Sequence, residues 1–302
     1  DVNGAIQLFE EVTRNDSLDL AANIRLGDLY FTKGDTSKAL DIYAKTTRAH
    51  PDAWSAYYKL GLAYFAAQKF DEAIPQLQKA AELNNHFPDI FFRLGLAFDQ
   101  KGDLETAEQN YRKAQKLAPA HPGTNFYLGN LLFRKRQFSE AIEYLNRSLQ
   151  ASPNNAVTLG ILAAAYDELD EHEKSEETYQ KALELDPENP TILNNYSYSL
   201  AERGERLQEA LKMVQKALEA EPENGAFLDT LGWIYYNLGE YDKALDAIKR
   251  SVALRDDSAE VLEHLGDVYE KLGEHEQALT YWKKAKELEP DRPSLISKLE
   301  EK

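Results

Sequence analysis

The sequence predicts an all-α protein, an α-solenoid in which pairs of helices are stacked on one another. The first observation is the stretch over residues 228–245, LDTLGWIYYNLGEYDKAL, whose apolar residues recur every three or four positions before and after Gly239. This spacing is typical of two amphipathic helices, and the glycine between them marks a turn. The second observation is Gly232 inside the first of these helices, where glycine costs about 1 kcal/mol relative to alanine. A glycine there indicates that another helix crosses too close to admit a Cβ atom.

The third observation is that this pattern returns along almost the whole chain, with a step of 34 residues and one step of 35. Its centre is a leucine or tyrosine followed by a small residue, at Leu26-Gly27, Leu60-Gly61, Leu94-Gly95, Leu128-Gly129, Leu162-Ala163, Tyr196-Ser197, Leu231-Gly232 and Leu265-Gly266. A lone helix pair cannot bury its apolar face, whereas stacked copies share one continuous core. The repetition therefore removes the inference of two globular domains that a length of 302 residues would otherwise carry.

The elements follow in a simple order along the chain. Residues 1–19 carry Ala5, Leu8, Phe9 and Val12 at helical spacing, which predicts the second helix of a pair whose first helix lies outside this sequence. We therefore expect the chain to be a piece of a longer protein. Eight complete units are predicted over residues 20–292, starting near Leu20, Trp54, Pro88, Pro122, Ala156, Pro190, Gly225 and Ala259. Residues 293–302 predict a last helix that caps the stack with its polar side toward water.

These units resemble the tetratricopeptide repeat (TPR) family, whose repeats are also 34 residues long. The resemblance rests on the leucine and small residue at the centre of each unit, an aromatic residue or leucine three positions later, a small residue in the second helix and a proline near the end of most units. It covers nearly the whole chain. It implies a right-handed superhelix of eight helix-turn-helix units, in which the first helix of each pair lines a concave groove. The units are most similar in style to bacterial members, which implies the cytoplasm, the periplasm or the cell envelope of a bacterium as the location.

Composition excludes several classes of partner. The chain has 35 Lys and Arg against 52 Asp and Glu, and a net charge of −17 repels phosphate backbones, so we expect no nucleic acid partner. No apolar run approaches the length of about 18 residues that spans a membrane, so we expect no direct membrane insertion. The absence of cysteine excludes disulfides and Cys-ligated zinc.

Residue patterns typical of catalysis are also missing from the sequence. The six histidines are scattered, and we expect them to be solvated surface side chains: His50, His86, His121, His172, His264 and His275. No HExxH, GxSxG or glycine-rich phosphate loop appears. We therefore expect no enzyme activity, no cofactor and no metal. An alternative is that this chain is the substrate-recruiting arm of a larger enzyme.

The TPR resemblance also implies which residues line the groove, namely the second, fifth, sixth, ninth, twelfth and thirteenth of each unit. In the first half these positions give Arg25, Phe31, Tyr58, Lys59, Phe65, Phe92, Arg93, Phe126, Tyr127, Asn130, Phe133 and Arg134. In the second half they give Asp167, Glu168, Asn194, Asn195, Tyr198, Glu202, Asp229, Trp233, Tyr236, Asn237, Glu260, Glu263, Asp267 and Glu270. We expect an aromatic first half with scattered cations, which suits apolar side chains and a carboxylate, and an acidic second half that suits Lys or Arg. An alternative for the acids is solvated charge that keeps the protein in solution.

The favoured function is a non-catalytic scaffold that holds an extended segment or a helix of a partner protein in this groove. A chaperone-tail adaptor is set aside, because its carboxylate clamp needs lysine at the fifth position of a unit that has asparagine at the ninth. Asn130 is at a ninth position here, but Phe126 occupies the fifth. Self-association is a further alternative, through an exposed apolar face of the first helix with Leu8, Phe9 and Val12.

Overall fold

The computed structural model describes residues 1–255 and 257–300, and in these residues every regular element is an α-helix. Eighteen helices follow one another there, and consecutive helices pack as pairs. The predicted solenoid of helix-turn-helix units, with half a unit at its start and a single helix at its end, is thereby confirmed. Residues 301 and 302, the last two of the predicted capping helix, lie outside the described residues.

The helices are divided between two compact units, the first from Asp1 to Pro153 and the second from Asn154 onward. The first unit contains α1 (Val2–Asn15) and four pairs, which are α2 (Leu20–Thr32) with α3 (Thr36–Ala49), α4 (Trp54–Ala66) with α5 (Phe70–Leu83), α6 (Pro88–Gln100) with α7 (Leu104–Leu117), and α8 (Pro122–Arg134) with α9 (Phe138–Ala151). The second unit contains four pairs and a last helix, which are α10 (Ala156–Asp167) with α11 (His172–Leu185), α12 (Pro190–Glu202) with α13 (Leu207–Ala220), α14 (Gly225–Asn237) with α15 (Tyr241–Leu254), α16 (Ala259–Lys271) with α17 (His275–Leu288), and α18 (Pro293–Glu300).

Local chemistry explains where the first helix of each pair begins. The side chains of Asp19, Asn155 and Asn189 each accept a hydrogen bond from the backbone N–H three residues later, which satisfies a donor that the helix leaves free. Pro88 and Pro122 stand at the first helical position, where no N–H is needed. The start of a first helix is therefore marked by a capping side chain or by a proline at the same place in these units.

The close approach predicted at Gly232 is confirmed. A Cβ atom at this residue would overlap Cγ1 of Ile248 on the second helix of the same pair. At the equivalent Gly266 the side chain that packs against the glycine is larger, because a Cβ atom there would overlap the ring of Trp282. The turn predicted at Gly239 is present as well, with φ at 78°, a region that favours glycine. Gly232 and Gly266 are therefore explained by the close approach of two helices, and Gly239 by the backbone conformation of the turn.

Within each unit, the first helices of successive pairs contact one another directly. In the first unit α2 contacts α4 and α4 contacts α6, and in the second unit the contacts run from α10 through α12 and α14 to α16. We call the surface that these first helices form the inner surface of a unit. The predicted groove residues are on first helices, except for Glu168, which directly follows α10. None of the helices in the described ranges is both long and apolar enough to cross a membrane.

Candidate partner-binding surface

Aromatic side chains line the inner surface of the first unit on α4, α6 and α8. The ring centroids of Phe92 and Tyr127 are 5.6 Å apart, and those of Phe126 and Tyr127 are 5.1 Å apart. Tyr58 belongs to a neighbouring group, with its ring 5.5 Å from that of Phe87. Phe92 is buried and the other four rings are half-buried. The structure therefore brings Phe92, Phe126 and Tyr127 together in one cluster. Tyr58 is on α4, in the helix pair that precedes the pair of Phe92.

Part of this aromatic surface is open to solvent. Phe31 on α2 leaves 36% of its surface exposed, and the half-buried Phe126 and Tyr127 also present ring surface. Asn130 is half-buried on the same helix as Phe126, and Arg134 is exposed at the end of that helix. Rings that remain open along one surface favour contact with apolar side chains of another molecule.

Arg93 and Arg134 of this surface are paired within the chain. Arg93 Nε donates to Asp89 Oδ2 at 3.2 Å, and the hydroxyl of Tyr58 donates to the same carboxylate. Arg134 Nη1 donates to Asp99 Oδ1 at 2.6 Å, which joins α8 to α6. The positive charge predicted for the first half is therefore largely compensated.

The inner surface of the second unit carries a polar centre of five residues: Tyr198 on α12, Asp229 and Trp233 on α14, and Glu260 and His264 on α16. We call it the His264 centre. His264 Nδ1 lies 3.1 Å from both carboxylate oxygens of Asp229, and its ring stacks on that of Trp233 with centroids 4.1 Å apart. The Tyr198 hydroxyl donates to Glu260 Oε1 at 2.6 Å. Since α12 and α16 are on either side of α14, this hydrogen bond joins two first helices that are not successive.

His264 is buried, with only 5% of its surface exposed. Burial by itself lowers the pKa of an imidazole, but the Asp229 carboxylate outweighs this effect and raises the pKa of His264 to about 9. The ring is then an imidazolium at neutral pH. The expectation that all six histidines are solvated is wrong at this residue. In the described part of the chain no group of three or more His, Asp or Glu side chains is placed to hold a metal ion.

Glu263 and Asp267 are buried, and their charges are compensated by the C-terminal segment. Lys298 Nζ on α18 donates to Glu263 Oε1 at 2.7 Å and to Asp267 Oδ2 at 2.6 Å. Arg292 Nε donates to Glu263 Oε2 at 2.5 Å, and Trp282 Nε1 donates to Asp267 Oδ1 at 3.0 Å. Burial alone raises the pKa of Glu263, yet the contact with Lys298 holds this pKa below its usual value.

The structure differs here from the expectation of an open acidic surface. Asp229, Glu263 and Asp267 are ion-paired inside the chain, because buried carboxylates need partners to be stable. Among the acids predicted for the groove of the second unit, Glu168 and Glu202 are exposed. Negative charge therefore reaches solvent at fewer of the predicted residues than expected.

The pairing of His264 with Asp229 and of Lys298 with Glu263 follows the register of the repeats. His264 is the sixth residue of α16 and Lys298 is the sixth residue of α18. Each is paired with the fifth residue of the preceding first helix, which is Asp229 for His264 and Glu263 for Lys298. Because repeats place equal positions at equal places, reading α18 in the register of the repeats predicts the second pair from the first.

The asparagines predicted for the groove of the second unit are only partly open to solvent. Asn194 is buried, and its Nδ2 donates to Asn195 Oδ1 at 3.3 Å while its own Oδ1 has no partner. Asn237 is exposed, and its Nδ2 donates to the carbonyl oxygen of Trp233 at 2.9 Å. The ring of Tyr236 stacks on that of Trp233 with centroids 4.7 Å apart, and the buried indole Nε1 has no partner. The inner surface of this unit therefore holds polar atoms whose hydrogen bonds are incomplete.

Two sequence models of protein families match the chain. The model of the cilia and flagella-associated protein 70 C-terminal domain matches residues 90–296, and a tetratricopeptide repeat model matches residues 1–53 and 26–86. No protein with curated annotation matches the sequence.

Solved structures share the stacking of helix pairs. A chain of the APC/C hetero-tetramer Cut9–Hcn1 has a TM-score of 0.67 and 15% sequence identity, over 96% of this chain and 57% of that one. A tetratricopeptide repeat protein from Parabacteroides merdae ATCC 43184 has a TM-score of 0.67 and 16% identity, over 81% and 96%. YrrB, described as a TPR protein with an unusual peptide-binding site, has a TM-score of 0.56 and 22% identity, over 61% and 95%. At these identities the likeness shows the fold alone, and this chain spans little more than half the length of the Cut9–Hcn1 chain.

Proposed function

The chain belongs to the tetratricopeptide repeat family, and we propose that it is a non-catalytic scaffold that binds a segment of a partner protein on the inner surfaces of its units. The observation that carries this proposal is that three rings on first helices of the first unit stay partly open to solvent, which are Phe31 on α2 and Phe126 and Tyr127 on α8. Aromatic side chains supply large contact area with few rotatable bonds and are enriched in protein interfaces. The peptide-binding site described for YrrB supports the proposal, because it shows that this fold can host such a site.

The partner that fits the first unit is an extended segment or a helix with apolar or aromatic side chains. The paired state of Arg93 and Arg134 leaves little free positive charge there, so a carboxylate of the partner adds little. A net charge of −17 favours proteins rather than nucleic acids as partners.

Truncating an open ring of this surface is expected to weaken partner binding about tenfold, as is typical for aromatic residues in an interface. Phe31→Ala and Phe126→Ala are the variants, and quantitative recovery of proteins on immobilised chain, followed by titration of the recovered protein, is the measurement. Leu83→Ala is the matched control, since Leu83 also exposes 36% of its surface but belongs to the second helix α5. Equal recovery by all three variants would contradict the proposal.

A second candidate function is self-association through α1, which one observation favours. Leu8 exposes 60% of its surface, and a cavity of 340 Å³ beside this helix is lined by Phe9, Arg25 and Leu29 among others. A second copy that covers Leu8 buries this apolar side chain, which contributes about 2 kcal/mol to the free energy of association.

Light scattering is expected to show an apparent mass that rises with concentration for the unmodified chain. Leu8→Glu is expected to weaken this association about tenfold or more, because it places a charge in the contact. Leu185→Glu, at an exposed leucine of the second unit, is the control. A constant monomeric mass at every concentration excludes this candidate.

A further inference from the structure

We propose that the cavity between α1 and α2 binds a helix of a partner protein in which a small residue is followed directly by Asp or Glu. The cavity has a volume of 340 Å³. Its walls are formed by Ala5 and Phe9 on α1 and by Arg25, Asp28, Leu29 and Thr32 on α2. The open rings Phe126 and Tyr127 of the scaffold surface are on α8 and do not line it. The cavity is therefore a second interaction surface, beyond the proposed function.

The wall on α1 matches the face with which a second helix packs on the first helix of its own pair. Ala5 and Phe9 are 34 residues before Ala39 and Tyr43 of α3. Ala39 and Tyr43 are buried there, and the Tyr43 ring packs so closely on Gly27 of α2 that a Cβ atom would overlap it. Ala5 and Phe9 are only half-buried. The cavity therefore lies where the other pairs place a first helix.

The wall on α2 presents a cation, because Arg25 is the sixth residue of this helix. The ninth residue of a first helix is an acid in α2 and in α16, and both acids pair with a cation at the sixth residue of the next helix in register. Lys59 Nζ lies 2.9 Å from Asp28 Oδ1, and Lys298 Nζ lies 2.6 Å from Asp267 Oδ2. Arg25 is exposed, and no residue in the described ranges forms an ion pair or a hydrogen bond with its side chain. Arg25 therefore matches the cation of these pairs but lacks the acid.

The residue before each of these acids is equally defined, because each acid directly follows the glycine of its repeat, at Gly27-Asp28 and Gly266-Asp267. The glycine faces the second helix of its own pair, and the acid faces the next helix in register. At the cavity these two neighbours are Phe9 and Arg25. A helix that fits there therefore carries a small residue against Phe9 and, one position later, a carboxylate against Arg25.

A second copy of this chain does not offer such a helix among its described residues. In α2 and α16 the glycine is already covered by the second helix of the same pair. Helix α18 follows the register of a first helix and has no second helix in the described ranges, but its eighth residue is Glu300, whose side chain is too large to lie against Phe9. The occupant is therefore a helix of another protein, and the charge of Arg25 favours one with an acid at this position.

Apolar contact supplies most of the attraction, and the charge selects the partner. Phe9 and Leu29 are half-buried, so a helix over the cavity covers apolar surface that is now in contact with water. An ion pair at a partly exposed cation contributes little affinity, and the Lys59–Asp28 pair in the same register is also partly exposed. We therefore expect loss of the carboxylate to weaken binding about fivefold, and loss of the apolar contact to weaken it more.

The test uses the full chain and a fluorescently labelled, amidated peptide of residues 259–271, AEVLEHLGDVYEK, which contains Gly266-Asp267. Fluorescence anisotropy of the peptide during titration with the chain measures the affinity. The peptide with Asp267→Asn is expected to bind about fivefold more weakly. The peptide with Gly266→Leu is expected to bind at least about tenfold more weakly, although leucine favours the helix, because the leucine side chain overlaps Phe9.

Variants of the chain test the other side of the contact. Arg25→Gln is expected to weaken binding of the unchanged peptide about fivefold and to leave binding of the Asp267→Asn peptide unchanged, since that pair is already lost. Arg48→Gln, at an exposed arginine of the second helix α3, is the matched control and leaves both affinities unchanged. Both arginines are exposed, so neither exchange removes a buried side chain from the fold.

Three results would overturn the proposal: equal affinities of the unchanged and the Asp267→Asn peptide, equal affinities of the Arg25→Gln and Arg48→Gln chains, or no anisotropy change at about 1 mM chain. Light scattering of the same samples shows whether a second copy is the occupant, because the peptide would then convert dimers to monomers, and this result also contradicts a partner helix. Phe126→Ala, which tests the scaffold surface on α8, leaves the peptide affinity unchanged. Partner recovery and peptide binding are therefore lost in different variants, and each proposal fails or stands by itself.

Discussion

Replacing His264 with alanine is expected to lower the free energy of unfolding by about 3–5 kcal/mol at about pH 6. The reason is that Asp229 is buried and its carboxylate depends on the His264 imidazole 3.1 Å away. Without the imidazolium, the fold must bury an unpaired charge or protonate it. The measurement is urea denaturation followed by tryptophan fluorescence, which reports on Trp233 beside the missing ring.

This loss is expected to depend on pH with a defined sign. The pKa of His264 is about 9 in the folded chain and about 6.5 in an unfolded one, so the imidazolium stabilises the fold fully below about pH 6.5. The stabilisation is lost as the pH rises through about 9. The difference between the unmodified chain and His264→Ala should therefore shrink by about 3 kcal/mol over this window, since one pKa unit corresponds to about 1.4 kcal/mol.

His275→Ala is the control for this prediction. His275 is exposed, and its Nδ1 lies 2.8 Å from Glu270 at the surface, so its removal should change the unfolding free energy by less than about 1 kcal/mol. A loss for His264→Ala that is the same at about pH 6 and about pH 10 would show that the buried pair is not charged.

Replacing Trp282 with alanine is the second change with a large expected effect, about 3–5 kcal/mol of unfolding free energy. The ring is buried against Gly266, where it fills the space that the missing Cβ leaves, and its Nε1 donates to Asp267 at 3.0 Å. Alanine removes the packing and the hydrogen bond together. Thermal or urea denaturation of the variant measures the loss.

Trp282→Phe separates the two contributions. It keeps an aromatic ring against Gly266 but leaves Asp267 without this donor, so the expected loss is about 1–3 kcal/mol. Trp54→Phe, at a half-buried ring of the first unit, is the control and should cost less than either. If Trp282→Phe is as unstable as Trp282→Ala, the packing against the glycine contributes nothing, and the account of the repeat glycines fails.

The helix pairs were predictable from the sequence because their causes are local. Gly232 and Gly239 are separated by seven positions, and both act within one helix pair. The apolar spacing around them repeats along the chain, so one well-read unit predicts the others. The repeat register also predicted that Phe92, Phe126 and Tyr127 are on one surface, and their rings are in contact there.

The charge state of the second unit was not predictable in this way, because it depends on partners from other helix pairs. Asp267 is compensated by Lys298, which is 31 residues away on a helix expected only to cap the stack. Tyr198 reaches Glu260 over 62 residues, and the residue types alone do not show which distant side chain it meets. Counting carboxylates on one face therefore predicted their position but not their partners.

We expect the partner to bind to the first helices and not to the second helices. Amide hydrogen exchange of the full chain, alone and saturated with the protein recovered on it, measures this, because it reports protection helix by helix. Added protection is expected in α2, α4, α6 and α8 of the first unit and in α12 and α14 of the second. Added protection confined to the second helices, such as α3, α5, α7 and α9, would contradict it.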